Sequence, residues 1–392
     1  MEMTAITTTV SAPRNRYACV LATVMLAGCM GDSSSDSDDR HTGTLTQMGI
    51  EGVTYETQSQ TGTTDENGQY RYYPGERIRF SVGDLPLIED VPVAPMLSPL
   101  EFTEEQRELL HSSGTDAQGF TSHRVVEEAI AEEDPFAINM TRFLLVIGED
   151  STADPDGTVT ITQRTIEQIN DYLSDNPDAL EEIDFHQPVE EFTTEILEYD
   201  GDGNLDNGTP IDLLLDSICF EPEGDELCEE PPSEQDIDDA ADEETQEELT
   251  QQRERILGAR RSLNDINDFA ASEFLTDQAL AYKAEKEAPY YLDPEAVTLH
   301  PSDTAVHRIR LRRAGSDFDL ADMDAETLSD NLAVHSFSAQ TRTLEYFHDG
   351  DDGDSGSLIV NFKVDEADYD SYRWYRKTVR VCINEDSRPC ST

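Results

Sequence analysis

Val306-His307-Arg308-Ile309-Arg310-Leu311-Arg312 sets Arg308, Arg310 and Arg312 on one side of an extended chain and Ile309 and Leu311 on the other. Strict alternation is the period of a half-buried strand, because successive side chains point to opposite faces. Downstream, Leu358 to Val364 and Tyr372 to Ile383 read as further strands, the former entered through the turn Asp349 to Gly356. Residues 291–392 are therefore expected to form a C-terminal antiparallel β-sheet or sandwich.

Upstream the period changes. Met140, Phe143, Leu144 and Ile147 have helical spacing, as do Ile166, Ile169 and Leu173, and Val189, Phe192 and Ile196. Ser233, after Pro231-Pro232, suits the N-cap of a long polar helix towards Phe274, with Leu249, Ile256, Leu263 and Ala270 as a packing seam. Residues 101–290 are expected to be an acidic, mainly helical domain. Residues 44–100 return to strands. Val53-Thr54-Tyr55 opens one, Asn67-Gly68 supplies a turn with positive φ, Gln69 to Tyr72 comes back, and Ile78, Phe80 and Val82 share a face. The fold class is α+β: a small N-terminal β module, a mainly helical middle and a β-rich end.

The chain carries 85 acidic and 27 basic residues, a formal charge of −58. Only Lys283, Lys286, Lys363 and Lys377 are lysines. A compact fold with that charge repels itself unless salt screens it, and near 1 M salt the Debye length shrinks to about 3 Å. The composition points to a saline exterior. It excludes nucleic acid as a partner, since a phosphate-tracking face needs clustered cations. Residues 300–392 hold 11 basic and 18 acidic residues, which leaves most of the negative charge upstream and marks a boundary near residue 290.

Residues 1–28 read as an export signal. Arg14 and Arg16 precede the short apolar stretch Ala18 to Ala27, well below the roughly 20 residues needed to span a bilayer. The stretch closes with Leu26-Ala27-Gly28-Cys29, which resembles the lipobox of bacterial lipoproteins. That resemblance implies acyl chains on Cys29 as the membrane anchor. With Met30 following and no adjacent Asp, it implies delivery to the outer membrane. Residues 29–43, rich in Ser and Asp, are expected to be a disordered tether.

Two further stretches carry a likeness. Gly62-Thr63-Thr64-Asp65-Glu66-Asn67-Gly68-Gln69-Tyr70, followed by Pro74-Gly75, resembles the carboxypeptidase-regulatory-like β modules of secreted proteins. Asn139-Met140-Thr141-Arg142-Phe143-Leu144, then Asp156-Gly157 and Val159-Thr160-Ile161, is similar to a segment of poorly characterised lipoproteins of marine gamma-proteobacteria. Some of those carry transporter labels. The β-module likeness implies spacing or adhesion and no catalysis.

Cys19 leaves with the signal and Cys29 takes the lipid, so Cys219, Cys228, Cys382 and Cys390 remain. Two close-set pairs in an oxidising compartment suggest the local disulfides Cys219–Cys228 and Cys382–Cys390. A four-thiolate metal site competes, but no C-x2-C spacing supports it.

The best ligand motif is Asp200-Gly201-Asp202-Gly203-Asn204-Leu205-Asp206. Alternating hard oxygens from Asp200, Asp202, Asn204 and Asp206 suit Ca²⁺. Leu205 and Ile211 stand where an EF-hand needs Gly and Glu, and an acidic solvated turn is the competing reading. The acidic Asp349 to Asp354 loop is explained by a hairpin turn. Gly353-Asp354-Ser355-Gly356 invites a serine-protease reading, but Ser357-Leu358 replaces the Gly-Pro of that pattern and no histidine has the matching context. Arg308, Arg310 and Arg312 form one cationic stripe, read either as an exposed face paired with nearby Asp or as an anion-binding face.

The expectation is a non-enzymatic, membrane-anchored cell-envelope lipoprotein, binding an envelope protein or glycan, with Ca²⁺ at the Asp200 to Asp206 loop as the one candidate cofactor. The alternatives are a secreted hydrolase with an unrecognised site and an accessory subunit of an envelope transport system. A binding module should show an aromatic face around Tyr369, Tyr372, Trp374 and Tyr375.

Overall fold

Residues 39–149, 158–366, 369, 372–386 and 388 are described in the structure, a computed structural model. The signal stretch, Cys29, the first part of the tether, Asp156-Gly157 and Cys390 lie outside the described residues. The fold is α+β.

His307–Arg313 is an inner strand of a four-stranded antiparallel sheet, flanked by Tyr290–Asp293 and Thr343–His348, with Leu332–Ser338 beyond the latter. A second sheet runs in the order Ala296–Leu299, Tyr375–Ile383, Ser355–Val364, Leu320–Glu326, its first pair parallel and the others antiparallel. The inward alternates of both sheets make one core. Ile309 and Leu311 are each 1% exposed and pack with Tyr346, Leu358, Phe362 and Val381. Their outward neighbours Arg308 and Arg312 pair with Glu345 and Asp293, each at 2.5 Å. The alternation in the sequence is thus the alternation of core and solvent.

In the N-terminal part, His41–Leu45 lies between Gln69–Tyr72, antiparallel, and Met96–Leu97, parallel. Thr61–Thr63, Thr54–Glu56, Arg77–Val82 and Leu85–Pro92 form an antiparallel sheet in that order. Asp65 Oδ1 accepts from the Asn67 and Gln69 amides at 3.0 and 2.9 Å, and Gly68 takes φ 67°. A Cβ at Gly68 would lie 2.5 Å from Gly49 Cα, so only glycine turns the chain here. The hydrophobic core of these strands is continuous with that of the helices: Leu45, Tyr70 and Phe80 belong to one cluster with Phe143, Ile169, Leu214 and Phe274.

Pro135–Val146 is the most enclosed helix, with Asp134 as N-cap and Pro at its start. Asn139 and Arg142 are buried in it because each satisfies loop carbonyls. Asn139 Nδ2 donates to Phe185 O and Gln187 O at 3.1 and 2.9 Å. Arg142 donates to Ile266 O and Leu263 O at 2.7 and 2.9 Å. Arg261 caps the far end through Val146 O and Glu149 O at 2.7 and 2.6 Å, where carbonyls are orphaned and a cation is favoured. Asn139 and Arg142 therefore bind other segments to the core, while Thr141 bonds back to Ala137 O in its own helix.

The expected long helix from Ser233 is divided. Ser233 is an N-cap with a capping box to Asp236, but the helix stops at Asp238. Glu243–Gly258 and Asp268–Glu287 restart behind the caps Asp242 and Asn267, with a short turn capped by Ser262 between them. Side chains that accept from nearby backbone amides compete with helix continuation, which explains the breaks. Ile256 and Leu263 remain buried. Cys219 and Cys228 are joined with Cα atoms 5.4 Å apart. Cys382 is also disulfide-bonded.

Candidate functional site

Four residues of the Asp268–Glu287 helix, Leu280, Lys283, Ala284 and Glu287, recur at three and four and so share one face. That face borders a cavity of about 360 Å³ together with Ser122, His123 and Arg124 at the entry to another helix, and Asn361, Trp374, Tyr375 and Arg376 on or just before two neighbouring strands. The cavity therefore sits where the helical part meets the C-terminal sandwich.

The rings of His123 and Trp374 are parallel with centroids 4.1 Å apart. His123 Nδ1 lies 2.7 Å from Ser112 O, which fixes the imidazole. Burial holds the His123 pKa below its ordinary value, and the nearby charge of Lys283 adds to this against the Ser112 contact. The ring is thus a neutral stacking partner at neutral pH.

The polar wall is already fixed by ion pairs. Lys283 Nζ meets Glu127 at 2.6 Å, both largely buried, and Lys377 Nζ meets Glu287 at 3.1 Å. Arg376 reaches Asp116 at 2.8 Å and donates to Asn361 Oδ1 at 3.1 Å, while its other nitrogen donates to Thr121 O. The hydrogen bond from Arg376, partly offset by desolvation, holds the Asp116 carboxyl below the usual carboxylate range. Next to Trp374 in the chain, Arg373 pairs with Glu101. Burial alone would lower its pKa, but Glu101 and its neighbours raise it, so the guanidinium stays charged. Tyr372 and Tyr375 are buried, and only Trp374 and part of Tyr375 line the cavity. The sequence signalled Trp374; it gave no sign of His123, Asn361 or Arg376, which come together only by tertiary packing.

The Asp200 to Asp206 loop is closed by a bridge between Tyr199 and Leu205. Asp200 Oδ1 accepts from the Asp202 and Asn204 amides at 3.0 and 2.8 Å. The backbone hydrogen bond from Asn204 leads the effects that lower its pKa. Two arginines occupy the loop carbonyls: Arg253 donates to Asp200 O and Gly201 O at 2.5 and 3.2 Å, and Arg260 to Gly203 O at 3.0 Å. Asp202 and Asp206 face solvent. Ser355 opens its strand opposite Cys382, beside a turn closed by the Asp351 amide on Asp354 Oδ2 at 2.8 Å.

No family model matches the chain, and no curated protein matches it. Among solved structures, a C. elegans protein, WR4 of the MSP family, is 12% identical with a TM-score of 0.19, over 24% of this chain and 97% of that one. Domains 4 and 5 of the S-layer protein SbsC are 10% identical with a TM-score of 0.17, over 24% of this chain and 50% of that one. At these TM-scores neither likeness bears on what this chain does.

Proposed function

We propose that the chain is a non-enzymatic, membrane-anchored cell-envelope lipoprotein, held at the outer membrane or cell surface by acyl chains on Cys29, and that its cavity takes the sugar end of an envelope glycan. The observation that supports the binding role is the His123–Trp374 stack at the edge of a polar-walled cavity. A sugar ring has an apolar C–H face and a rim of hydroxyls. An indole meets the face, and preset groups such as Arg376 and Glu287 meet the rim without further ordering cost. Calcium in the Asp200 to Asp206 loop belongs to this reading as a structural ion.

The chain has a single tryptophan, so indole emission reports the cavity alone. Titration with oligosaccharides released from the host envelope should change that emission saturably, and Trp374→Phe should weaken binding by about tenfold or more in calorimetry. Cleavage of the added oligosaccharide would favour a hydrolase instead. For the anchor, Cys29→Ser should abolish radiolabelled palmitate incorporation; retained label would remove the lipoprotein reading.

A further inference from the structure

The second concavity of interest, about 240 Å³, lies on the C-terminal sandwich and is bordered by Arg310, Arg312, Arg313 and Arg342, with Tyr291 and Ser316. Such a gathering is unexpected in a chain with 85 acidic and 27 basic residues. Two of the four guanidinium groups are matched: Arg312 by Asp293 and Arg342 by Asp317, each at 2.5 Å. Arg310 is set across the strand pair from the same Asp293, which Arg312 already takes, and Arg313 lies over the Tyr290 ring at 5.4 Å. Neither has an ion-pair partner among the described residues. The concavity and its two carboxylates thus carry two positive charges in excess.

Arg342 adds an independent sign. It has φ 54°, a left-handed conformation that residues with a Cβ avoid. Its guanidinium is fixed by Asp317 and Phe318 O and lies 4.6 Å over the Phe318 ring. A side chain held at a strained backbone position by three contacts is preorganised rather than adaptable.

We propose that this concavity binds a phosphate group. A carboxylate is planar and is satisfied by one arginine fork. A tetrahedral phosphate offers oxygens in several directions, which suits guanidinium groups converging from strand, strand end and turn. At high salt the distant carboxylates are screened, whereas contact pairs in the concavity persist. Free phosphate and the headgroup of an acidic lipid share this chemistry.

The test uses the full chain carrying Cys29→Ser, so that lipidation does not contribute. Inorganic pyrophosphate is titrated by calorimetry, and co-sedimentation is measured with phosphatidylcholine vesicles with and without phosphatidic acid. Arg310→Ala with Arg313→Ala should lower the responding affinity about tenfold or more, since charge-assisted bonds are lost. Arg255→Ala with Arg388→Ala, an equal charge change at exposed ion pairs outside the concavity, should leave it within about twofold. Melts confirm that both variants fold. Response to pyrophosphate assigns a soluble ligand, and response only to phosphatidic acid vesicles assigns a lipid headgroup. No saturable response to either, or equal losses in both double variants, overturns the proposal.

Discussion

Glu101→Gln should destabilise the fold more than any change at a surface ion pair. Glu101 is fully buried and Arg373 is 6% exposed, so the pair that joins them is out of water. Glutamine keeps the one oxygen that the Ser98 amide uses at 2.8 Å, and with it the capping box, but presents an NH2 group to Arg373, so the substitution removes the charge and the acceptor on that side alone. Arg373 does not shed its proton, because a guanidinium is intrinsically too basic, and it lies over the Tyr282 and Tyr372 rings at 4.7 and 5.5 Å. Breaking a buried pair in this way costs about 3–5 kcal/mol. Glu127, 3.9 Å from Arg373 but already engaged by Lys283, brings the expected loss to the lower end of that range. Urea unfolding at fixed high salt, followed by both Trp374 emission and far-UV circular dichroism, gives the free energy if the two transitions coincide. Adding Arg373→Met to Glu101→Gln should restore about 2 kcal/mol or more, a coupling that a double-mutant cycle reads directly. A loss under about 1 kcal/mol, or additive effects in the cycle, would refute the account of an uncompensated buried charge.

Stability should fall as pH drops from about 7 to about 5, in part through His123: its folded pKa is lowered by burial, so below the unfolded value of about 6.5 the unfolded chain takes the proton preferentially. His123→Gln should flatten that slope, and parallel wild-type and variant profiles from urea titrations would count against it. The melting temperature should rise between about 0.05 and about 2 M NaCl as the −58 charge is screened; a flat or falling curve removes the saline reading. Calcium should raise the melting temperature against EDTA at constant ionic strength, and Asp202→Ala with Asp206→Ala should abolish the rise. Equal shifts in wild type and variant would place the ion elsewhere.

Strands with one wet and one dry face were legible because their period is local. Arg77–Val82 and His307–Arg313 show it in six or seven residues. The break after Asp238 was harder to read. Acidic residues are helix-compatible, and only Asp242 bonding to the Thr245 amide reveals that a new helix starts there. The cavity was legible in one residue. Trp374 stands out in composition, whereas His123 is 251 positions away and ordinary in its context. The Asn139 and Arg142 pair was read as part of a family likeness, and it proves to be an arrangement of donors for buried loop carbonyls. Polar residues in an apolar helix mark unmet backbone elsewhere, but the sequence does not say where.

The strand Tyr375–Ile383 is central in its sheet, between Ala296–Leu299 and Ser355–Val364, although it is the last of that sheet's four strands in chain order. During synthesis Ala296–Leu299 emerges without its partner and Ser355–Val364 with only Leu320–Glu326 beside it, so the sandwich cannot close until Tyr375–Ile383 has emerged. Contacts of such sequence separation, with Arg376 reaching back to Asp116 across 260 positions, must wait for loop closure and so give slow assembly. A nascent chain stalled or clipped before Tyr375 would present two open strand edges, and the aggregation hazard of those edges makes the emergence of this strand the step at which the molecule becomes safe.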